Sequence, residues 1–224
     1  WTAPENWGWP PPLAIDSDNY TTQVNSDTGE IILISALDAK LNVRIEKRIR
    51  VTADAGAIQV TYRIMNEAGE TQSFAPWEIS RVAKGGTTFY RQGSAAINAR
   101  NRGVMELQQA NGICAYHHPT HMTDDAKLFD TSADNWIAHT NGHLLFIKQY
   151  DPCTTPAPGE ADIEIYACPN YVEVEQQGTF APIAPGDSTS WNVIWSLHQL
   201  PQNIKTSDPA ALAGVVDGIL KNRL

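Results

Sequence analysis

Cysteine is scarce in this 224-residue chain, at three residues, Cys114, Cys153 and Cys168. Their positions match no metal-ligand spacing. Cys153 and Cys168 flank a proline-rich loop and a strand and would pair in an oxidising compartment; the odd count leaves at least one thiol over. Cysteine usage leaves the compartment undecided, with a periplasmic or secreted setting favoured over a cytoplasmic one. Positive charge is also in short supply. There are 16 Lys and Arg against 25 Asp and Glu, a net charge of −9. No basic cluster supplies the footprint that a phosphate backbone needs, so nucleic acid is excluded as a partner. Long apolar runs are missing too, and none approaches the ~20 residues of a membrane-spanning helix, so no membrane partner is expected. There is no phosphate-binding glycine loop, no dinucleotide fingerprint and no Gly-x-Ser-x-Gly elbow. No cofactor is expected. The chain begins at Trp1 with no signal-like segment, and the start reads as a processed end or a fragment.

What is present is alternation. Tyr171-Val172-Glu173-Val174-Glu175-Gln176-Gln177-Gly178 reads as a strand, with Val172 and Val174 on one face and Tyr171, Glu173, Glu175 and Gln177 on the other. Two carboxylates and an amide thus line one surface, which is either a solvated face or a polar cleft suited to a ligand rich in hydroxyls. The residues Asp162 to Cys168 alternate as well and turn through Pro169-Asn170 into this strand. Further strands are expected at 30–35, 42–51, 57–65, 74–82 and 190–197. Asp54-Ala55-Gly56 and Asn66 to Gly69 have turn composition, and Asn141-Gly142 marks a hairpin between 135–139 and 143–150. Residues 87–135 show no regular pattern. A single amphipathic helix begins at Asp208-Pro209, with Leu212, Val215, Val216, Ile219 and Leu220 on one stripe. Short strands, turn punctuation and one late helix imply an all-β antiparallel sandwich over 1–204, with the helix of 205–224 packed on it or on a partner.

Several side chains stand out as candidates. Trp7 and Trp9 sit in the stiff Pro-rich opening, either as plugs or as a stacking platform. Trp77 and Arg81 share one strand face, where an indole stacks on sugar C–H bonds and a guanidinium forks to hydroxyls or a carboxylate. Lys148 lies between Phe146 and Tyr150, snorkelling or reaching into a site. His117-His118-Pro119-Thr120-His121, with Asp124 and Asp125 behind it, suggests a metal, but its spacing fits neither helix nor strand. A polar loop over a cleft is the better reading, and no metal site is assigned.

Three phrases, residues 62–82 (YRIMNEAGETQSFAPWEISRV), 146–150 (FIKQY) and 171–197 (YVEVEQQGTFAPIAPGDSTSWNVIWSL), resemble the galactose mutarotase-like (aldose 1-epimerase-like) β-supersandwich proteins, in a bacterial branch of mostly unassigned function. The resemblance implies an antiparallel β-supersandwich with further strands upstream, and carbohydrate as the partner, with a homodimer left open. In mutarotases a Glu in a Glu-x-Gln context takes the anomeric proton and a His protonates the ring oxygen. Glu175-Gln176-Gln177 matches the first phrase, which makes Glu175 the candidate base, flanked by Glu173. The His-x-Tyr-Phe phrase is replaced by Trp77-Glu78-Ile79-Ser80-Arg81-Val82, so His139, His143 or the 117–121 cluster would have to supply the acid, and His139 is the candidate. The implied site is therefore Glu175 and His139 for chemistry, with Trp77, Arg81, Lys148, Glu173, Gln177, Trp7 and Trp9 holding substrate. The alternative is a non-catalytic sandwich that packs against another domain or chain. Glycoside hydrolysis is disfavoured because Glu173 and Glu175 lie on one strand and cannot flank a bond from opposite sides.

Overall fold

The computed structural model describes residues 1–53, 56–94, 97–100, 105–119 and 121–221. Asp54 and Ala55 of the expected turn, and Thr120 of the histidine-rich loop, lie outside the described residues. The strands fall into two antiparallel sheets, and the chain divides into two compact units.

The first unit takes Trp1–Glu78, Tyr150–Glu160 and Gln177–Ile194. Strands β2 (Thr21–Val24), β3 (Ile31–Ile34), β4 (Val43–Val51) and β5 (Ala57–Asn66) lie side by side, with the opening half of β17 (Ser188–Gln199) beyond β5. The β4–β5 pair is the hairpin expected from alternation, with Val43 opposite Asn66 and Val51 opposite Ile58. Val43, Ile45, Val60 and Ile64 supply its buried side. On the other side Glu46 is 5% exposed and is held by Arg48 at 2.7 Å and Arg63 at 2.9 Å. That face carries an ion-pair ladder. Strand β1 (Thr2–Ala3) and β16 (Ala181–Ile183) both pair with β6 (Gln72–Ala83), and the short helix α1 (Leu13–Asp16) follows the prolines.

Asn66 ties the turn of this unit together. Its Nδ2 donates to the carbonyls of Glu70 and Ile183, each at 2.8 Å, and its Oδ1 accepts from Ala68 N at 2.9 Å. Its backbone pairs with Asp187 O and Gly186 N. The Asn-containing turn and the Pro-Gly-Asp turn, two separate phrases in the sequence, are thus one hydrogen-bonded unit.

The second unit takes Ile79–Gln149, Ala161–Gln176 and Trp195–Leu224. In one sheet the closing half of β6 is followed by β15 (Tyr171–Gln177), β14 (Ile163–Ala167), β11 (Ala126–Asp130) and β8 (Asn98–Arg100). In the other the closing half of β17 is followed by β13 (Leu144–Tyr150), β12 (Trp136–Asn141), β7 (Thr87–Arg91), β10 (Ile113–His117) and β9 (Glu106–Ala110). Ile163, Ile165, Val172 and Val174 from the first sheet, and Phe89, Ile137 and Ile147 from the second, are fully buried. Tyr90 of β7 donates its hydroxyl to Asp130 of β11 at 2.6 Å, a buried polar link between the sheets of this unit. Helix α2 (Pro209–Lys221) packs on β7, β9 and β10 through Leu212, Ala213 and Val216 and is held by Asp217 to Arg91 at 2.7 Å.

Two expectations change. The unpatterned segment 87–135 contains the five strands β7 to β11, which are three to five residues long and are defined by their partners rather than by their own alternation. In β17 the regular alternation expected over 190–197 slips: Trp191 and Val193 are buried, but so is Ser196, and Leu197 is 58% exposed.

Candidate functional site

The acidic strand acquires its neighbours through register. Glu164 stands opposite Glu175 and Tyr166 opposite Glu173 across β14–β15, while Phe129 stands opposite Glu164 and Lys127 opposite Tyr166 across β11–β14. Opposed residues of an antiparallel pair share a face. A short hairpin and one added strand therefore gather Glu173, Glu175, Glu164, Tyr166 and Lys127 on one surface of the second unit.

Within it, Lys127 Nζ lies 2.7 Å from Glu164 Oε2 and 3.0 Å from Glu175 Oε2. Both carboxylates are buried, Glu175 completely. Burial pushes the Glu175 carboxyl above its ordinary range; Lys127 pulls it back, while the charges of Glu164 and Glu173 push the same way as burial. Burial works against the Lys127 ammonium, yet Glu175 and Glu164 together hold its pKa above the usual lysine value. Toward solvent, Arg81 Nε meets Glu173 Oε1 at 2.7 Å, and the guanidinium sits 4.7 Å from the centroid of the Tyr171 ring. Tyr166 lies beside Tyr171, with ring centroids 6.2 Å apart and planes tilted by 43°. Burial, then the charge of Asp125 and other neighbours, pushes the Tyr166 phenol up to about 12, so it stays a neutral donor. The Arg81 side chain is 57% exposed and Glu173 10%. The outer surface is thus a guanidinium laid on the Tyr171 ring, with the carboxylates beneath.

The other candidates are placed elsewhere. Lys148 is fully buried and donates to Val174 O at 2.7 Å, a tie between β13 and β15. His139 is 4% exposed, its Nδ1 is 2.9 Å from Thr88 Oγ1, and its Nε2 faces Gly86 so closely that a Cβ there would lie 3.0 Å from it. Burial, with the charge of His118, takes His139 down to about 4, so the ring is neutral. His139 and Glu175 have different hydrogen-bond partners, Thr88 for one and Lys127 for the other. His118 is buried against Cys168 O at 3.0 Å, and His117 sits between Thr87 and Gln108. Among the described residues no three His, Cys, Asp or Glu side chains gather as a metal site, and all three cysteines are thiols, so Cys153 and Cys168 are not bridged.

In the first unit Trp77 is 3% exposed and edge-on to Trp1 at 5.4 Å. Trp7 is the plug, its indole N–H donating to Thr2 O at 3.1 Å, whereas Trp9 is 72% exposed. Gln177 is fully buried; it donates to Glu160 and accepts from Ala157 N at 2.7 Å, which pins the proline-rich loop.

Sequence reasoning missed Lys127, Glu164 and Tyr166 as members of the site. The signal for Glu164 and Tyr166 was their alternation in the strand before the acidic one. Lys127 lay in the unpatterned segment, and only its pairing to β14 brings it to the carboxylates.

No family model and no curated protein matches the sequence. Among solved structures the chain is similar to a TPR-domain containing protein from Parabacteroides distasonis, with a TM-score of 0.58 and 10% identity over 83% of this chain and 36% of that one. It is similar to a protein from Klebsiella pneumoniae proposed to be an aldose 1-epimerase, with a TM-score of 0.57 and 14% identity over 90% of this chain and 58% of that one. It is also similar to a galactose mutarotase-like protein from Lactobacillus casei, with a TM-score of 0.53 and 13% identity over 80% of this chain and 73% of that one. The chain thus spans 36% and 58% of the first two in length. At such identity what is shared is the fold.

Proposed function

We propose that this chain, which has the galactose mutarotase-like fold, is a carbohydrate-binding protein whose ligand sits on the Arg81–Tyr171 surface of the second unit. The observation that carries the reading is the guanidinium fixed between the Glu173 carboxylate and the Tyr171 ring. A fixed donor fork beside an aromatic face matches what a sugar presents, hydroxyls along its rim and C–H bonds on its faces. Glu173 and the Tyr166 hydroxyl lie in the same surface and add acceptor and donor capacity. Probing a glycan array with the purified chain, followed by titration of the best ligand, tests this. Binding that falls at least about tenfold in Tyr171→Ala is expected, tenfold being the ratio that 1.4 kcal/mol represents. A blank array overturns the reading.

A second reading is favoured by one observation, the upward push on the Glu175 carboxyl. A carboxyl moved toward neutrality is a better proton acceptor-donor in water near pH 7 than an ordinary one. In that reading Glu175 takes the proton of an anomeric hydroxyl, Lys127 holds the carboxylate in place, and water supplies the proton to the ring oxygen, since the neutral His139 has none to give. The approach of α-galactose and α-glucose to anomeric equilibrium, with the chain and with Glu175→Gln, tests it. Acceleration by the wild type and none by the variant is expected; no acceleration by the wild type ends the epimerase reading and leaves the binding one standing.

A further inference from the structure

We infer that the sugar taken at the Arg81–Tyr171 surface carries a carboxylate, as a uronic acid does; the inference rests on the carbohydrate reading above and names its ligand class.

The argument starts from which charge is outermost. Arg81 is 57% exposed, whereas the Glu173 side chain is 10% exposed and Lys127 11%. Of the charges paired on β6, β11, β14 and β15, the cation Arg81 thus lies outermost. The guanidinium is held at Nε by Glu173 and on its face by the Tyr171 ring, 4.7 Å from the centroid. Two constraints on one planar group fix its orientation, so little rotamer freedom remains to be lost when a ligand arrives. A planar fork of N–H donors is the geometric match of a planar carboxylate, which it binds through two parallel charge-assisted hydrogen bonds. The Tyr166 ring, 6.2 Å from that of Tyr171, provides the aromatic face beside the fork on which the pyranose carrying that carboxylate lies.

Local charge decides between anions. Arg81 is matched by Glu173, and Lys127 by Glu164. Lys127 also faces Glu175, which burial pushes up and the ammonium pulls back, and the charge of Asp125 acts on Tyr166, so acidic groups surround the fork on its inner side. A phosphate monoester brings about −1.5 to −2 at pH 7. Set against Glu173, with Glu164 and Glu175 behind it, the second charge meets repulsion that a single carboxylate avoids. A neutral sugar keeps single bonds to the guanidinium but forgoes the bidentate ion pair.

Three hexoses that differ only at carbon six test the inference: galacturonic acid, galactose and galactose 6-phosphate, each titrated into the full chain at pH 7 and followed by NMR. Galacturonic acid is expected to bind about tenfold tighter than galactose, the ratio that 1.4 kcal/mol represents. In Arg81→Lys, which keeps the charge and loses the fork, and in Arg81→Gln, that ratio is expected to fall to near one, galacturonic acid losing more affinity than galactose. The wild-type comparison needs no variant and stands even if either substitution impairs folding. Galactose binding as tightly as galacturonic acid, or galactose 6-phosphate binding tighter than it, overturns the carboxylate assignment and leaves the carbohydrate reading intact. No binding of these three together with a neutral hit on the glycan array overturns the inference alone; no binding with a blank array overturns both.

Discussion

Lys127 holds two buried carboxylates, Glu164 at 2.7 Å and Glu175 at 3.0 Å, in a place where neither has solvent to turn to. Removing the cation while keeping both acids leaves uncompensated buried charge, the situation in which breaking one side of an ion pair costs about 3–5 kcal/mol. Lys127→Met is expected to lose about that much stability in urea denaturation at pH 7, and to regain part of it when Glu164→Gln is added. His139 leads to a second expectation. Its ring titrates near 4 in the folded chain, below the ordinary histidine value of 6.5. The unfolded chain therefore takes up this proton first as pH falls, so stability is full above about 6.5, declines through the window and levels off below 4. The effect approaches about 3 kcal/mol, at 1.36 kcal/mol per pKa unit. In His139→Asn that part of the pH dependence of the denaturation midpoint should disappear. Single residues were legible where their type was informative, as for the acidic face of Glu173 and Glu175. Burial was not: Gln177 and Lys148 look like cleft residues in a string of letters, but both are fully buried and satisfied by carbonyls or loop groups.

At the scale of elements, hairpins with strong alternation and explicit turns were readable, and the pairs β4–β5, β12–β13 and β14–β15 form as the pattern predicts. The strands β7 to β11 were not readable. A five-residue strand such as Glu106–Ala110 carries too few apolar positions to declare a period, and its edge position leaves most of its side chains wet. Such strands exist because neighbours offer them hydrogen bonds, and that information is not local. The approach of β7 to β12 shows how tight this packing is. Gly86 has φ +79°, and a Cβ on it would lie 2.2 Å from Thr140 O and 3.0 Å from His139 Nε2. Backbone cannot move aside as a flexible side chain does. Gly86→Ala is expected to cost at least about 2 kcal/mol, from an unfavourable positive φ plus overpacking, read as a lower melting temperature. It should also change the His139 ring signals in NMR. If the melting temperature is unchanged, the close approach is not as tight as the geometry indicates.

For the molecule as a whole, the excess of acid matters most to how ligands arrive. A net charge of −9 repels an anionic oligosaccharide at long range, while the fork at Arg81 attracts it at contact. Screening shortens the first interaction much more than the second, since the Debye length falls from about 30 Å at 0.01 M to about 8 Å at 0.15 M salt. The association rate of an oligogalacturonate should therefore rise with ionic strength over that range in stopped-flow measurements, the reverse of a protein that steers its anion electrostatically. Composition alone made the acidic excess visible, but it did not show that an exposed cation stands over the buried carboxylates.

The distribution of the thiols has a practical consequence. Cys114 and Cys168 are buried, while Cys153 is partly exposed in the proline-rich loop, its Sγ donating to Gly178 O at 3.3 Å. A maleimide dye added to the native chain should couple at one position first, and the other two should follow only as fast as the fold opens. The chain thus carries its own attachment point for a fluorophore. The slow phase of labelling then works as a clock for how often the interior of the second unit, where Cys114 and Cys168 lie, becomes accessible.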